Sequence, residues 1–109
     1  MKTGIDLIFI PSIAKLMENE AALRKMLHPS EMRIMKAEHL AGKIALKEAF
    51  FKAFEMKPRW LDLEVKETSS GKPKLIVYTV LIDKIEKMDY SISHDGDYAV
   101  AQVVVLMKK

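Results

Sequence analysis

Three small groups of residues in this sequence could carry chemistry. Asp6 sits in an apolar stretch near the amino terminus. Glu48 lies in an apolar run that also holds Lys43, Lys47 and Lys52, and Ser91-Ile92-Ser93-His94-Asp95 closes a third stretch. A carboxylate among apolar residues is costly to bury unless it is paired or holds a metal. Two carboxylates converging with water and phosphate oxygens are an ordinary arrangement for Mg²⁺, which takes oxygen ligands and keeps several waters. Glu48 and Lys52 are four apart, so on a helix they lie one above the other. Taken alone, that pair reads as a surface ion pair worth roughly a few tenths of a kcal/mol. Asp6 then reads as a turn or strand-end residue and His94 as a plain strand-end histidine. No histidine spacing suggests zinc, His28 and His39 reading as surface residues. The absence of cysteine removes disulfides, thiolate nucleophiles and cysteine-based zinc sites together.

The elements that must position these groups follow from pattern. Gly4 to Ile10 is rich in β-branched and aromatic residues and predicts a strand carrying Asp6. Pro11 suits the first turn of a helix, and apolar spacing from Ser12 to Met26 predicts one continuous helix ending near Leu27. His28-Pro29 resets the backbone, and Pro29-Ser30-Glu31 predicts a second helix opening, continuous or not with the one that follows. Ala41 to Phe54 is a strong helix, with Ala37, Ala41, Ala45, Ala49 and Ala53 forming a ridge that a backbone can approach closely. Pro58 is the firmest stop signal after it. Trp60 to Lys66 alternates and reads as a strand, Ser69 to Pro73 as a turn, and Lys74 to Thr79 as the returning strand of a hairpin. Val80 to Met88 is ambiguous between a short helix and a strand edge. Asp89 to His94 and Tyr98 to Leu106 read as strands around the turn Asp95-Gly96-Asp97. The last strand is apolar except for Gln102, which predicts burial on both faces, against the alanine ridge and a neighbouring subunit. The order predicts an α+β domain, helices packed on a small antiparallel sheet, spanning residues 1–109 as a single domain.

The net charge of +3 is a mild bias. Its lysines are scattered without interleaved aromatics, which argues against nucleic acid and fits an acidic or phosphorylated partner. A small nucleic-acid-binding domain is a reading carried only by the pI. No apolar run approaches the roughly 18 residues of a membrane span, and the amino terminus lacks a signal-peptide pattern, so the expectation is a cytoplasmic protein without membrane attachment.

Five motifs then occur in order. They are Gly4-Ile5-Asp6; Ala41-Gly-Lys-Ile-Ala-Leu-Lys-Glu-Ala-Phe-Phe-Lys-Ala53; Trp60-Leu-Asp-Leu-Glu-Val65; Gly71-Lys-Pro73; and Ser91-Ile-Ser-His-Asp95 with Tyr98-Ala-Val-Ala101. The series resembles the holo-acyl-carrier-protein synthases, the short branch of the 4'-phosphopantetheinyl transferases, across nearly the whole chain. The resemblance implies transfer of the 4'-phosphopantetheine arm of coenzyme A to a serine of an apo acyl carrier protein, releasing adenosine 3',5'-bisphosphate. It implies that Asp6 and Glu48 hold Mg²⁺ and that Lys52 joins them as a catalytic residue. Lys43, Lys47, Ser93 and His94 are the implied coenzyme A contacts, with Lys43 standing where relatives commonly carry arginine. It further implies a homotrimer with sites between subunits. The helix from Ser12 to Met26, carrying Lys15, Arg24, Lys25, Met17 and Met26, is implied to meet the acidic carrier.

Three positions depart from the family's pattern. Phe9 replaces a second acidic residue three positions after Asp6, Ser12 replaces a basic residue, and Glu55-Met-Lys-Pro-Arg59 replaces a glycine-rich turn. These departures motivate an alternative, a relative that binds coenzyme A or a carrier without turning over.

Overall fold

The structure is a computed structural model that describes residues 1–33 and 35–109. Its organising element is the helix α3, Ala37–Ala53, twelve of whose 17 residues are buried. A helix apolar on nearly every side belongs inside a domain rather than on its surface. The surface reading of this segment is therefore replaced by a central one. Ala41, Ala45, Ala49 and Ala53 are all buried, as the ridge predicts.

Strands β1 (Lys2–Phe9), β4 (Ile85–Asp95) and β5 (Tyr98–Met107) form an antiparallel sheet in the order β1-β5-β4. β4 and β5 are joined through the Asp95-Gly96-Asp97 turn, where Gly96 takes φ +59°. The terminal strand β5 thus lies in the middle. Its inward residues Ala99, Ala101, Val103 and Val105 are buried beneath α3. Its outward residues Tyr98, Gln102 and Leu106 are exposed, and Val100 and Val104 half-buried. Within one chain, β5 is therefore covered on one face rather than two.

Strands β2 (Leu63–Lys66) and β3 (Lys74–Val77) make a separate antiparallel hairpin. The Trp60–Asp62 segment is a 3₁₀ turn, so the strand predicted from Trp60 begins only at Leu63. Val80–Lys84 is likewise a 3₁₀ turn, capped by the Thr79 hydroxyl, and resolves the ambiguous segment into a turn followed by β4.

The continuous helix predicted from Ser12 to Met26 is two short ones, α1 (Ile10–Leu16) and α2 (Glu20–Arg24). Asn19 is the reason: its side-chain oxygen accepts from the Ala22 amide at 3.0 Å and starts a new helix. Pro29–Glu31 is a single 3₁₀ turn, not a longer helix, with Glu31 Oε1 accepting from the His28 amide at 2.7 Å. The part of that expectation falling on Ile34 lies outside the described residues. α3 ends at Ala53, well before Pro58. Glu55 turns left-handed (φ 56°), and the amides of Glu55 and Met56 donate to Lys52 and Phe51 carbonyls at 3.0 Å each. That pair of bonds closes a helix end without proline.

Candidate active site

The pattern that makes β1 a strand sends alternate residues to opposite faces, so Gly4, Asp6 and Ile8 point toward α3 while Ile5, Leu7 and Phe9 point away. Gly4 decides how closely the two elements approach. A Cβ at Gly4 would fall 1.8 Å from the Ala49 carbonyl oxygen. With β1 pressed against this turn of the helix, Asp6 lies beside Glu48 and Lys52.

Lys52 Nζ donates to Asp6 Oδ1 at 2.8 Å and to the Ile5 carbonyl at 3.2 Å. Asp6 is 5% exposed, whereas the Lys52 side chain is about half in solvent (55%). Asp6 Oδ2 is buried and has no hydrogen-bond partner among the described residues. Glu48 is half-buried. Burial first, then hydrogen bonding to Asp6 and its charge, push the Glu48 carboxyl up to about 7, against the pull of Lys52. The two acids thus resist full ionisation together: below about 7 a proton held by Glu48 can be shared with Asp6, whose Oδ2 has no other partner among the described residues. A divalent cation that takes oxygen ligands would answer both conditions. The protein supplies two carboxylates here, and no cluster of three potential metal ligands occurs among the described residues. The remaining positions would belong to water and substrate oxygens. Phe9, on the outer face of β1, packs at a tilt against Tyr98 with ring centroids 5.5 Å apart and adds nothing to the acidic pair.

The structure does not bring the other predicted site residues to this point. Lys47 is fully buried, and its ammonium donates to Met26 O (2.8 Å), Glu31 Oε1 (2.8 Å) and Trp60 O (3.3 Å). Its three protons are spent inside the chain. Glu31 Oε2 in turn accepts from the Val65 amide at 2.8 Å, so this ion pair ties α3 to the segment before it and to β2. The sequence offers no signal for the pair, because Lys47 and Glu31 meet only through tertiary packing. Lys43 lies on the same side of the helix, its side chain 7% exposed and its Nζ 3.7 Å from Glu67 Oε1.

Ser93 and His94 are neighbours on β4 and therefore face opposite ways. Ser93 is exposed on the outer face opposite Val100. His94 is on the helix side, with Nδ1 3.5 Å from Glu38 Oε2 and its ring 6.5 Å from that of His39. Glu38 and Lys52 are fourteen residues apart along α3, or about 21 Å. Outside the sheet, a cavity of about 480 Å³ opens between the Gly71-Lys72-Pro73 turn and Asp89, Ser91 and Gln102. Lys72 Nζ is held there by Asp89 Oδ1 at 2.9 Å and stands 5.4 Å from the centre of the Tyr90 ring.

Known proteins share this fold and much of this sequence. No protein-family model matches the chain. The holo-[acyl-carrier-protein] synthase of Nautilia profundicola is 36% identical over 110 residues, covering 94% of this chain and 97% of the relative. That of Geobacter sulfurreducens is 34% identical, covering 94% of each chain. A crystal structure of the Helicobacter pylori holo-[acyl-carrier-protein] synthase in complex with coenzyme A superposes with a TM-score of 0.83 at 32% identity, covering 95% of this chain and 99% of that one. Relatives of this identity over nearly the whole chain, and the shared fold, show that the chain belongs to the holo-[acyl-carrier-protein] synthases, a family of 4'-phosphopantetheinyl transferases.

Proposed function

We propose that this protein transfers the 4'-phosphopantetheine arm of coenzyme A to a serine of an apo acyl carrier protein and releases adenosine 3',5'-bisphosphate. The observation that carries the reading is the unpartnered Asp6 Oδ2 beside a Glu48 carboxyl held up near 7, with the half-exposed Lys52 on the other Asp6 oxygen. The serine hydroxyl attacks the phosphorus bearing the pantetheine arm and gives its proton to water, and the bond from that phosphorus to the bridging pyrophosphate oxygen breaks, that oxygen leaving on adenosine 3',5'-bisphosphate. Asp6 and Glu48 would hold Mg²⁺, which when bound neutralises charge on the pyrophosphate oxygens. Lys52 is anchored at one side by Asp6 and the Ile5 carbonyl, and its solvent side is free to orient an incoming phosphate. Lys43 is kept as a candidate phosphate contact. Lys47 is not, since its donors are occupied.

The protein substrate is read from charge. Lys15 is exposed on α1, Arg24 at the end of α2 and Lys25 just beyond it, and Met17 and Met26 are half-buried. This mixture suits an acidic carrier. The outward sheet face supports the homotrimer: Ile5, Leu7, Phe9, Tyr98 and Leu106 are exposed on it in one chain. A patch of that kind is what an oligomer covers. In one chain, moreover, Ser93 and the Gly71-Lys72-Pro73 cavity lie on the side of the sheet away from Asp6, so one complete site would draw on two copies. The cysteine-free sequence fits a cytoplasmic location, and no helix among the described residues is long and apolar enough to cross a membrane.

The test incubates the protein with coenzyme A, Mg²⁺ and several apo carriers and reads intact mass. Gain of one phosphopantetheine arm supports the reading. No gain on any carrier that a known synthase modifies rejects it, and coenzyme A binding without turnover then identifies a non-catalytic relative.

A further inference from the structure

The chain has eight methionines and no cysteine, so every sulfur in it is a thioether. Three of these residues, Met17, Met32 and Met35, line one cavity of about 230 Å³ together with Leu23, Leu27 and Leu40. Trp60, the chain's single tryptophan, packs against the same apolar cluster. The three methionines are half-buried, so each keeps part of its side chain in contact with water. Met17 is also the cap residue that ends α1, and α1 and α2 are only seven and five residues long. Helices that short do not hold themselves in place. They stay on α3 through this cluster, in which Ile13 and Leu27 meet Leu40, Ala41 and Ile44. Thioethers suit the cavity because they are apolar and pliant. A sulfoxide does not. Its oxygen is a strong acceptor, and the two polar side chains at the cavity have nothing to give it. Glu31 is itself an acceptor, already taking the amides of His28 and Val65 and the Lys47 ammonium. The Arg33 guanidinium is held by Glu67. An oxygen formed there has to turn out to water, and it takes its side chain out of the cluster with it.

We propose that Met17, Met32 and Met35 form a site of reversible oxidation by hydrogen peroxide, at which sulfoxide formation loosens α1 and α2 from α3 and weakens binding of the carrier. The sulfur lone pair attacks one peroxide oxygen, the O–O bond breaks, and the second oxygen takes the proton of the first and leaves as water. Sulfur loses two electrons and the peroxide gains them; a thiol-dependent methionine sulfoxide reductase reverses the step. Met1 and Met56, exposed and outside this cluster, oxidise without that consequence. The Asp6–Glu48 pair is positioned by β1 against a later turn of α3, so it stays in place. The effect on the carrier rests on the transferase reading, because Lys15, Arg24 and Lys25 ride on the loosened segment. The loosening itself does not.

The test treats the full chain with hydrogen peroxide, maps oxygen gain by peptide mass spectrometry, and compares wild type with Met17→Leu/Met32→Leu/Met35→Leu. Leucine keeps the volume and apolarity and has no sulfur. In wild type, oxygen on the three sulfurs lowers the urea midpoint and shifts Trp60 emission, and a methionine sulfoxide reductase with a dithiol restores both. The triple variant shows neither change. Met17→Leu alone, which blunts both changes, decides the matter should the triple variant fail to fold. With an apo carrier, oxidation raises the wild-type KM for the carrier about tenfold and leaves the KM for coenzyme A as it was. The proposal is overturned if the three sulfurs resist peroxide, if their oxidation moves neither midpoint nor emission, or if the leucine variants respond as wild type does. An unchanged carrier KM, or equal rises for carrier and coenzyme A, also overturns it. If midpoint and emission respond while neither form of the protein modifies any carrier, the oxidation site stands and the transferase reading falls.

Discussion

Gly4 of β1 and Ala49 of α3 meet backbone to backbone: a Cβ on Gly4 would lie 1.8 Å from the Ala49 carbonyl oxygen and 2.8 Å from the Ala53 amide nitrogen. No side chain can move aside to relieve that overlap. The strand and helix must separate, and with them Asp6 from Glu48 and Lys52. Gly4→Ala is therefore expected to cost more than the roughly 1–3 kcal/mol of ordinary overpacking, and to leave the protein unfolded or with most activity lost. Urea denaturation monitored by circular dichroism checks it. Gly42→Ala is the control, because its Cβ would meet only the Ile92 side chain, at 2.9 Å. It should cost clearly less.

The buried pair of Lys47 and Glu31 gives a second prediction. Both side chains are fully buried, and removing one partner strands the other's charge. Lys47→Met should destabilise by about 3–5 kcal/mol. The double variant Lys47→Met/Glu31→Gln should recover part of that loss, because the uncompensated charge is gone, although only one of the His28 and Val65 amides, which bond different Glu31 oxygens, keeps an acceptor. If the double variant is as unstable as the sum of the single variants, the two residues are not coupled.

The contrast between Lys47 and Lys52 marks how far sequence reasoning reaches. Both are lysines in the same helix beside Glu48, and helical spacing alone assigns them similar duties. The i,i+4 spacing ties Lys52 to Glu48 alone, and its place beside Asp6 enters the sequence reading only through the family resemblance. Lys47 is claimed by Glu31 and two carbonyls from outside its element, which no local pattern records. The same division runs through the fold. The strand β1, the long helix, and both hairpins follow from periodicity and turn residues. The break at Asn19 was hidden under apolar residues whose spacing continued through it, and the helix end at Ala53 under the stronger signal of Pro58. Ser93 and His94 read as one motif, but a strand sends adjacent residues to opposite faces, so in a single chain they serve different surroundings.

Glu55 offers a stabilising change. It holds φ 56° at the position where a helix end of this kind ordinarily takes glycine. A left-handed residue with a Cβ costs about 1–2 kcal/mol, part of which glycine returns as greater freedom of the unfolded chain. Glu55→Gly is expected to raise stability by up to about 1 kcal/mol, read as a higher urea midpoint at unchanged slope. A lower midpoint would mean that the Glu55 side chain makes a contribution of its own.

The carboxyl pair at the proposed metal site makes stability depend on pH in an identifiable direction. Glu48 is raised from an ordinary 4.5 to about 7, mainly by burial and then by Asp6. Between those values the folded chain holds a proton that the unfolded chain has released. In chelator, the Glu48 contribution to stability is therefore present below about 4.5 and lost as pH rises through about 7. Glu48→Gln cannot ionise and should remove this fall while leaving the fold intact. It should also remove most turnover, because a neutral amide is a poorer Mg²⁺ ligand. Mg²⁺ competes with the proton for the same oxygens, so its stabilisation of the wild type should be larger at pH 8 than at pH 5. Thermal unfolding of wild type and Glu48→Gln across this range, with chelator and with Mg²⁺, reads all three effects. A wild-type response to Mg²⁺ that persists undiminished in Glu48→Gln would place the cation elsewhere, even if the variant were inactive.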